Sequence, residues 1–276
     1  MLFPHRKAAR VLFGDFSRIF LHRAGGGSIL KKIRPWGRTE GIAMQEALSM
    51  KPIATMHSRF PTKFGIPRQS GLVADLRSTI VFAPDYRSAD ALRGLEGFSH
   101  LWLIWVFSQA VRETWSPTVR PPRLGGNVRM GVFATRSPFR PNPIGLSAVK
   151  LEGIDLHTPQ GPVLHVSGAD LLDGTPILDI KPYVPYADAH PEAAGGFTDG
   201  GEDYRLTVDF PPDLLAMLSP QDRLALPGVL AQDPRPSYQH SPDRVYGMAF
   251  GEWEVKFSVR DKCLTVLSLS PRAAKE

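Results

Sequence analysis

The sequence predicts a mainly β protein, an antiparallel β-barrel followed by a small α+β C-terminal domain. Three observations carry this. Short apolar runs recur from Lys51 to Ile180, bounded by Gly, Pro, Asn or Asp and with few helical stretches between them. Such spacing favours antiparallel strands closing on themselves over alternating β and α units. Pro185–Gly201 (PYADAHPEAAGGFTDGG) then breaks the pattern and marks a boundary, beyond which lie one helix-like run and two strand-like runs.

Taken in order, residues 1–49 are an extension. The first 43 residues hold nine Lys/Arg against two Asp/Glu, a GGGS break at Gly25–Ser28 and no sustained periodicity, so a poorly ordered basic segment is expected. Residues 50–188 are assigned to the barrel, with strands at Ser78–Phe82, His100–Phe107, Met130–Ala134, Leu146–Leu151 and Val163–Val166 and a weaker one at Pro176–Ile180. Ala89–Leu95 (ADALRGL) reads as a short helix. Residues 200–276 form the C-terminal domain, with a helix at Pro211–Leu218, a QDPRPSY loop at Gln232–Tyr238, and strands near Tyr246–Val259 and Leu264–Leu269. In HLWLIWVF, alternation puts Trp102 on the opposite face from Trp105 and Phe107. One face fills the barrel, and the other needs cover from a helix or a second subunit.

Composition removes several classes of function. At 276 residues and 42% hydrophobic content, the chain can bury one good core and a smaller second one. Its longest apolar run, around Leu101–Phe107, is far too short for a membrane helix. The single Cys263 excludes an intramolecular disulfide and a cysteine-based metal cluster and suggests a reducing compartment, with the cytoplasm as default. The eight histidines do not cluster at ligand spacing, so no metal is expected. Neither a dinucleotide-binding glycine fingerprint nor a P-loop, an HExxH helix or a GxSxG elbow occurs. The net charge of +6 is uneven, because residues 187–276 hold nine basic and fourteen acidic groups. An anionic partner must therefore be argued from local clustering.

That clustering exists. Arg112, Arg120, Arg123, Arg129, Arg136 and Arg140 occur with no lysine among them and only Glu113 opposed; the planar guanidinium suits phosphate, carboxylate and base edges. Within this span TRSPFRPNPIG, Thr135–Gly145, is stiffened by Pro138, Pro141 and Pro143. In polyproline II geometry Arg136, Phe139 and Asn142 would share one face, offering a charge, a stacking plane and an amide for an adenine edge; a purely structural turn is the alternative. Pro67-Arg68-Gln69 and the DLLDGTP turn at Asp170–Pro176, with two carboxylates three residues apart, are further pocket-wall candidates.

PRQSGLV (Pro67–Val73), LRGLEGFSHLWLIWVF (Leu92–Phe107), RPPRLGGNVRMGVFATRSPFRPNPIGLS (Arg120–Ser147) and DLLDGTPILDIKPYVPYAD (Asp170–Asp188) closely resemble the TrmO family, also called TsaA-like or YaeB-like. QDPRPSY resembles its C-terminal motif, and the likeness runs from about Lys51 to the C-terminus. The resemblance implies an S-adenosylmethionine-dependent tRNA methyltransferase built on a β-barrel. Its members methylate N6 of the threonylcarbamoylated adenosine at tRNA position 37, in the anticodon loop of threonine tRNA, and assemble as homodimers.

Carried over by motif, the cofactor pocket comprises Pro67, Arg68, Gln69, Ser108, Gln109, Arg136, Leu146 and the turn Asp170, Leu171, Leu172 and Asp173. Ser108 stands where some relatives carry His, which leaves the backbone as the contact there. Arg120, Arg123, Arg140, Asn142, Arg235 and Tyr238 are expected to touch tRNA. Asp170, Asp173 and Asn142 are unranked candidates to take up the charge developing on N6. The alternative is a non-catalytic RNA-binding β-barrel.

Overall fold

The computed structural model describes residues 48–121, 127–199, 204–236, 241 and 243–272. Residues 1–47 of the basic extension, Arg123 and Tyr238 lie outside those residues. All the elements below belong to the unit Ser49–Glu276.

Six strands close the barrel: β1 (Ala54–His57), β2 (Arg77–Phe82), β3 (His100–Val106), β6 (Ile144–Thr158), β7 (Gly161–Ser167) and β8 (Pro176–Pro182), in the spatial order β1-β2-β7-β6-β3-β8, every pairing antiparallel. Alternation decides which side chains fill it. Leu101, Leu103 and Trp105 of β3 point inward beside Ile80, Leu164, Leu171 and Ile177, so the interior is packed core, as expected for a barrel this small. Trp102 lies on the other face, as alternation requires. Its cover comes from within the chain: the Tyr183 ring sits 5.4 Å away and Nε1 donates to Asp188 Oδ2 at 3.0 Å, the last residue of α1 (Pro185–Asp188).

The predicted strands appear, with altered limits. β6 runs 15 residues rather than six, pairing with β3 along its first half and β7 along its second, and register shifts after Leu151 and Asp155 let it turn that corner. Met130–Ala134 is not one strand. Only Met130–Gly131 (β5) pairs, with β4 (Thr118–Val119), and Val132–Ala134 winds into a 3₁₀ turn whose first amide donates to Pro117 C=O at 2.9 Å. The expected helix at Ala89–Leu95 is a 3₁₀ turn over Ala89–Leu92, halted before Gly94, whose φ of +87° a helix cannot continue through.

C-terminal to the barrel, β9 (Thr207–Asp209), β10 (Tyr246–Phe250), β11 (Trp253–Arg260) and β12 (Cys263–Pro271) form a sheet in the order β10-β11-β12-β9. The apolar run read as one strand from Tyr246 to Val259 is a hairpin, folded at Gly251-Glu252. Helix α2 (Pro212–Met217) matches the prediction, but α3 (Pro220–Ala231) was not anticipated. Pro227 inside it argues against a helix in sequence, whereas Ser219 caps its start by accepting from the Asp222 amide. Packing decides: Leu226, Val229 and Leu230 are buried against Phe250, Phe257 and Leu264, and the same core takes Phe60, Val73 and Leu76 from the connection between β1 and β2. Arg59, in that connection, bonds Asp222 of α3 and Glu252. Barrel and C-terminal sheet thus share side chains across more than 150 residues of sequence.

Candidate functional site: a cleft at one end of the barrel

Four separate stretches meet at one end of the barrel. They are the end of β3 with Ser108 and Gln109, the loop Thr135–Pro143 with the first residues of β6, the Ile66–Gln69 loop, and the segment after β7 that carries Asp170. Together they wall a cleft of about 810 Å³, well within the range of small-molecule sites. The Phe107 amide donates to Pro143 C=O at 2.8 Å and fixes the proline loop to the strand end. The Ile66–Gln69 loop is drawn in by a close backbone approach that favours glycine: the Gly71 amide donates to Gly168 C=O at 2.8 Å, and a Cβ on Gly168, at φ +77°, would lie 3.2 Å from the Gly71 Cα.

The proline loop is not a polyproline helix. Arg140 donates its amide to Pro138 C=O at 3.1 Å and Ile144 to Asn142 C=O at 2.7 Å, so it advances by successive three-residue turns. Arg136, Phe139 and Asn142 nonetheless all face the cleft. The Arg136 guanidinium donates to Gln69 Oε1. Arg140 Nη1 donates to Thr135 C=O at 2.9 Å and staples the loop, while the Arg112 guanidinium lies 3.7 Å from the centroid of the Phe139 ring.

On the cleft floor stands Asp170. Its Oδ1 accepts from Ser147 Oγ at 2.6 Å, and Ser147 Oγ accepts from Trp105 Nε1 at 3.1 Å. Burial pushes the Asp170 carboxyl above the usual range, against the Ser147 hydroxyl, the amides of Asp170 and Ser70 and the Arg136 charge, all of which favour the ionised form.

Of the other expected cofactor contacts, Pro67, Arg68, Gln69, Ser108, Gln109, Leu146 and Leu172 line the cleft. Ser108 commits its amide to Val106 C=O at 2.8 Å, so its carbonyl and hydroxyl are what it can present. Leu171 is barrel core. Asp173 is turned away, its Oδ1 accepting from the Ser58 amide at 3.0 Å and lying 3.6 Å from His57 Nδ1. Arg140 and Asn142 reach the cleft, whereas Arg120 is exposed outside it. Arg235 also lies elsewhere, forking onto Asp233 at 2.8 and 2.9 Å.

Sequence reasoning overlooked Trp105, Ser147 and Phe133. A signal existed for Ser147: in GLSAVKL the inward positions are Gly145, Ser147 and Val149, and a hydroxyl on the core face needs a partner. A second, more open groove of about 480 Å³ lies on the barrel wall between His57, Arg77, Glu152 and His165, where Arg77 pairs with Glu152 at 3.4 Å.

The family model of the tRNA-methyltransferase O N-terminal domain matches residues 55–189, and that of the TrmO C-terminal domain residues 203–272. A tRNA (adenine(37)-N6)-methyltransferase of Escherichia coli is 42% identical over 82% of this chain and 99% of its own length. The chain belongs to the TrmO family. A relative from Pseudomonas aeruginosa is 44% identical over 75% of this chain and 90% of its own, and is named provisionally as an S-adenosylmethionine-dependent methyltransferase. The crystal structure of TrmO from Pseudomonas aeruginosa superposes with a TM-score of 0.66 at 36% identity, covering 81% of this chain and 98% of that one. The barrel predicted from sequence is thus the TrmO barrel.

Proposed function

We propose that the chain is a tRNA (adenine(37)-N6)-methyltransferase that takes its methyl group from S-adenosylmethionine and acts on N6 of threonylcarbamoyladenosine 37 in threonine tRNA. The observation that carries this is the convergence of Arg68, Gln69, Gln109, Arg136, Leu146 and Asp170 on one cleft, although more than 100 residues separate the first from the last.

The donor set fits the cofactor. Phe107, Ile66 and Leu146 offer apolar wall for a nucleoside base, Arg68 and Gln69 suit a carboxylate, and Asp170 suits hydroxyls or a cation. When bound, the cofactor would supply an electrophilic methyl group for N6, which would give up a proton in exchange. The protein's part is to hold N6 in line, exclude water and accept that proton. Asp170 is favoured for the last task over Asn142, which is neutral and on the outer lip, and over Asp173, which faces away from the cleft. Arg140, Phe139 and Asn142 would meet the nucleotide, and Arg120 and Arg123 the tRNA backbone.

We further propose a division of labour among a basic extension (1–49), a catalytic barrel (50–188) and a C-terminal domain (200–276), a homodimer as in the family, and a cytoplasmic location. No helix among the described residues is long and apolar enough to cross a membrane. Light scattering at micromolar concentration tests the dimer; Trp102, covered within its own chain, gives it no support.

The deciding experiment is mass spectrometry of nucleosides from threonine tRNA, with and without the threonylcarbamoyl group, after incubation with protein and cofactor. Methylation of the modified tRNA alone is expected. Methylation of neither, with no heat of cofactor binding in a titration, would indicate a non-catalytic RNA-binding barrel.

A further inference from the structure

We infer that Trp105 and Ser147 are positioning residues for Asp170, a hydrogen-bond relay of fixed direction, seated by Gly145, that holds one carboxylate oxygen and orients the group at the cleft floor. The inference rests on the proposed reading of the cleft as the place of methyl transfer.

The direction follows from the donor inventory. An indole N–H can only donate, so across the 3.1 Å contact Ser147 Oγ must accept from Trp105. The one proton of Ser147 is then left for the 2.6 Å contact with Asp170 Oδ1. A serine with a single neighbour could rotate its hydroxyl; here both neighbours agree on one orientation. Ser147 is 1% exposed and Trp105 6% exposed, so the two donors of the relay are shielded, while Asp170 borders the cleft.

Gly145 makes the arrangement possible. It is the cross-strand partner of Trp105, and a Cβ there would lie 2.3 Å from the indole ring. The ring therefore lies flat on the glycine backbone, and in that pose Nε1 reaches Ser147, two residues along β6. The groups acting on Asp170 come from several sides: Ser147 on β6, Arg136 on the proline loop, and the amides of Ser70 and of Asp170 itself. Among these, Arg136 brings a full positive charge. The relay thus matters most for a carboxylate that burial disfavours in its ionised form.

The test uses Ser147→Ala, Ser147→Cys and Trp105→Phe in the full chain. Removing the hydroxyl takes away a bond that favours the carboxylate, so Ser147→Ala should lower kcat by about tenfold or more and move the acidic limb of its pH profile upward, with the loss shrinking at higher pH. The weaker thiol donor of Ser147→Cys should give an intermediate shift. Trp105→Phe, which keeps ring and packing, should shift the limb in the same direction by less. Without cofactor or tRNA, the melting-temperature deficit of Ser147→Ala should widen as pH rises from about 4, the ordinary carboxylate range, toward neutrality. An unmoved limb in folded Ser147→Ala and Ser147→Cys, a defect confined to cofactor affinity, or a pH-independent deficit would each overturn the relay. If instead the wild type methylates no tRNA while the pH-dependent deficit persists, the relay stands and the proposed reaction fails.

Discussion

Arg136 and Arg235 both sit in short loops stiffened by proline, and the two loops use their cations in opposite ways. Arg136 lies on an exposed lip, and its guanidinium meets a neutral amide, Gln69 Oε1, beside a buried carboxylate it does not neutralise. Arg235 turns inward, with 9% of its side chain exposed, and forks onto both oxygens of Asp233, which also accepts from Tyr204 Oη at 3.0 Å. Asp233 follows α3 in the left-handed region at φ +52°, its amide donating to Leu230 C=O at 3.1 Å, and Pro234 prevents the helix from continuing. The second loop is a helix stop clamped by its own ion pair. A cation available to a ligand differs from a structural one in its partner: an amide leaves the charge uncompensated, a buried carboxylate consumes it.

Arg136→Ala breaks this contrast most severely. A ligand oxygen in the cleft would lose a charge-assisted partner, roughly 1.5–3 kcal/mol, so kcat/KM should fall about tenfold to a hundredfold while the melting temperature stays within a degree or so of wild type. Steady-state methylation of modified threonine tRNA beside a thermal melt checks both halves. Wild-type turnover in the folded variant would remove Arg136 from the site.

Arg235→Ala should do the reverse. Losing one partner of a nearly buried pair costs about 1–3 kcal/mol, a drop of several degrees at this chain length, with activity per folded molecule unchanged. The pH dependence sharpens the distinction. Burial alone would push the Asp233 carboxyl up, but the Arg235 fork and Tyr204 outweigh it and hold the group below the usual carboxylate range. A depressed carboxyl contributes stability that is present above its unfolded pKa and lost as pH falls through the folded one. The gap between wild type and Arg235→Ala should therefore be full at neutral pH and close below about pH 4. A variant that keeps its melting temperature yet fails to methylate would make Arg235 a substrate contact after all.

How far the sequence revealed this contrast depends on distance along the chain. Strand alternation in HLWLIWVF is local, and Trp102 and Trp105 take opposite faces as read. The prolines, arginines and single glycine of TRSPFRPNPIG are local too, and all three residues expected to share a face reach the cleft, although by tight turns instead of a polyproline helix. Asp170 and Asp173 could not be separated, because Asp173 is claimed by Ser58, 115 residues away. Helix α3 was hidden for a similar reason: Pro227 outweighs the local pattern until Phe60, Val73 and Leu76 arrive to bury its apolar face. Asp233, two residues from Arg235, was legible in principle as its partner, but a two-residue spacing gives no hint that the fork will fold back.

Phe139→Ala probes a contact between these extremes. One side of the ring is taken by Arg112 at 3.7 Å, and the residue lines the cleft with 39% of its surface exposed. Base–aromatic stacking is worth about 1–3 kcal/mol. The KM for tRNA should rise about tenfold with cofactor affinity unchanged, measured by titration; a loss of cofactor binding instead would assign the ring to the cofactor side.

Arg120→Ala should show the smallest effect and completes the gradient. Arg120 follows β4, is exposed and does not line the cleft, so it has neither a buried carboxylate to clamp nor a cleft ligand to orient. What an exposed arginine offers a polyanion is one screened phosphate contact, which supplies affinity without sequence or modification readout. Its removal should weaken tRNA binding a few-fold at low salt and lower the slope of log affinity against log salt by about 1, equally for threonylcarbamoylated and unmodified tRNA. Arg136→Ala, by contrast, should leave the salt slope nearly untouched while depressing turnover. A preference for modified tRNA that changes in Arg120→Ala would mean that the ribbon of β4 and β5 reads the modification, and the boundary between steering charge and site charge would have to move outward to include it.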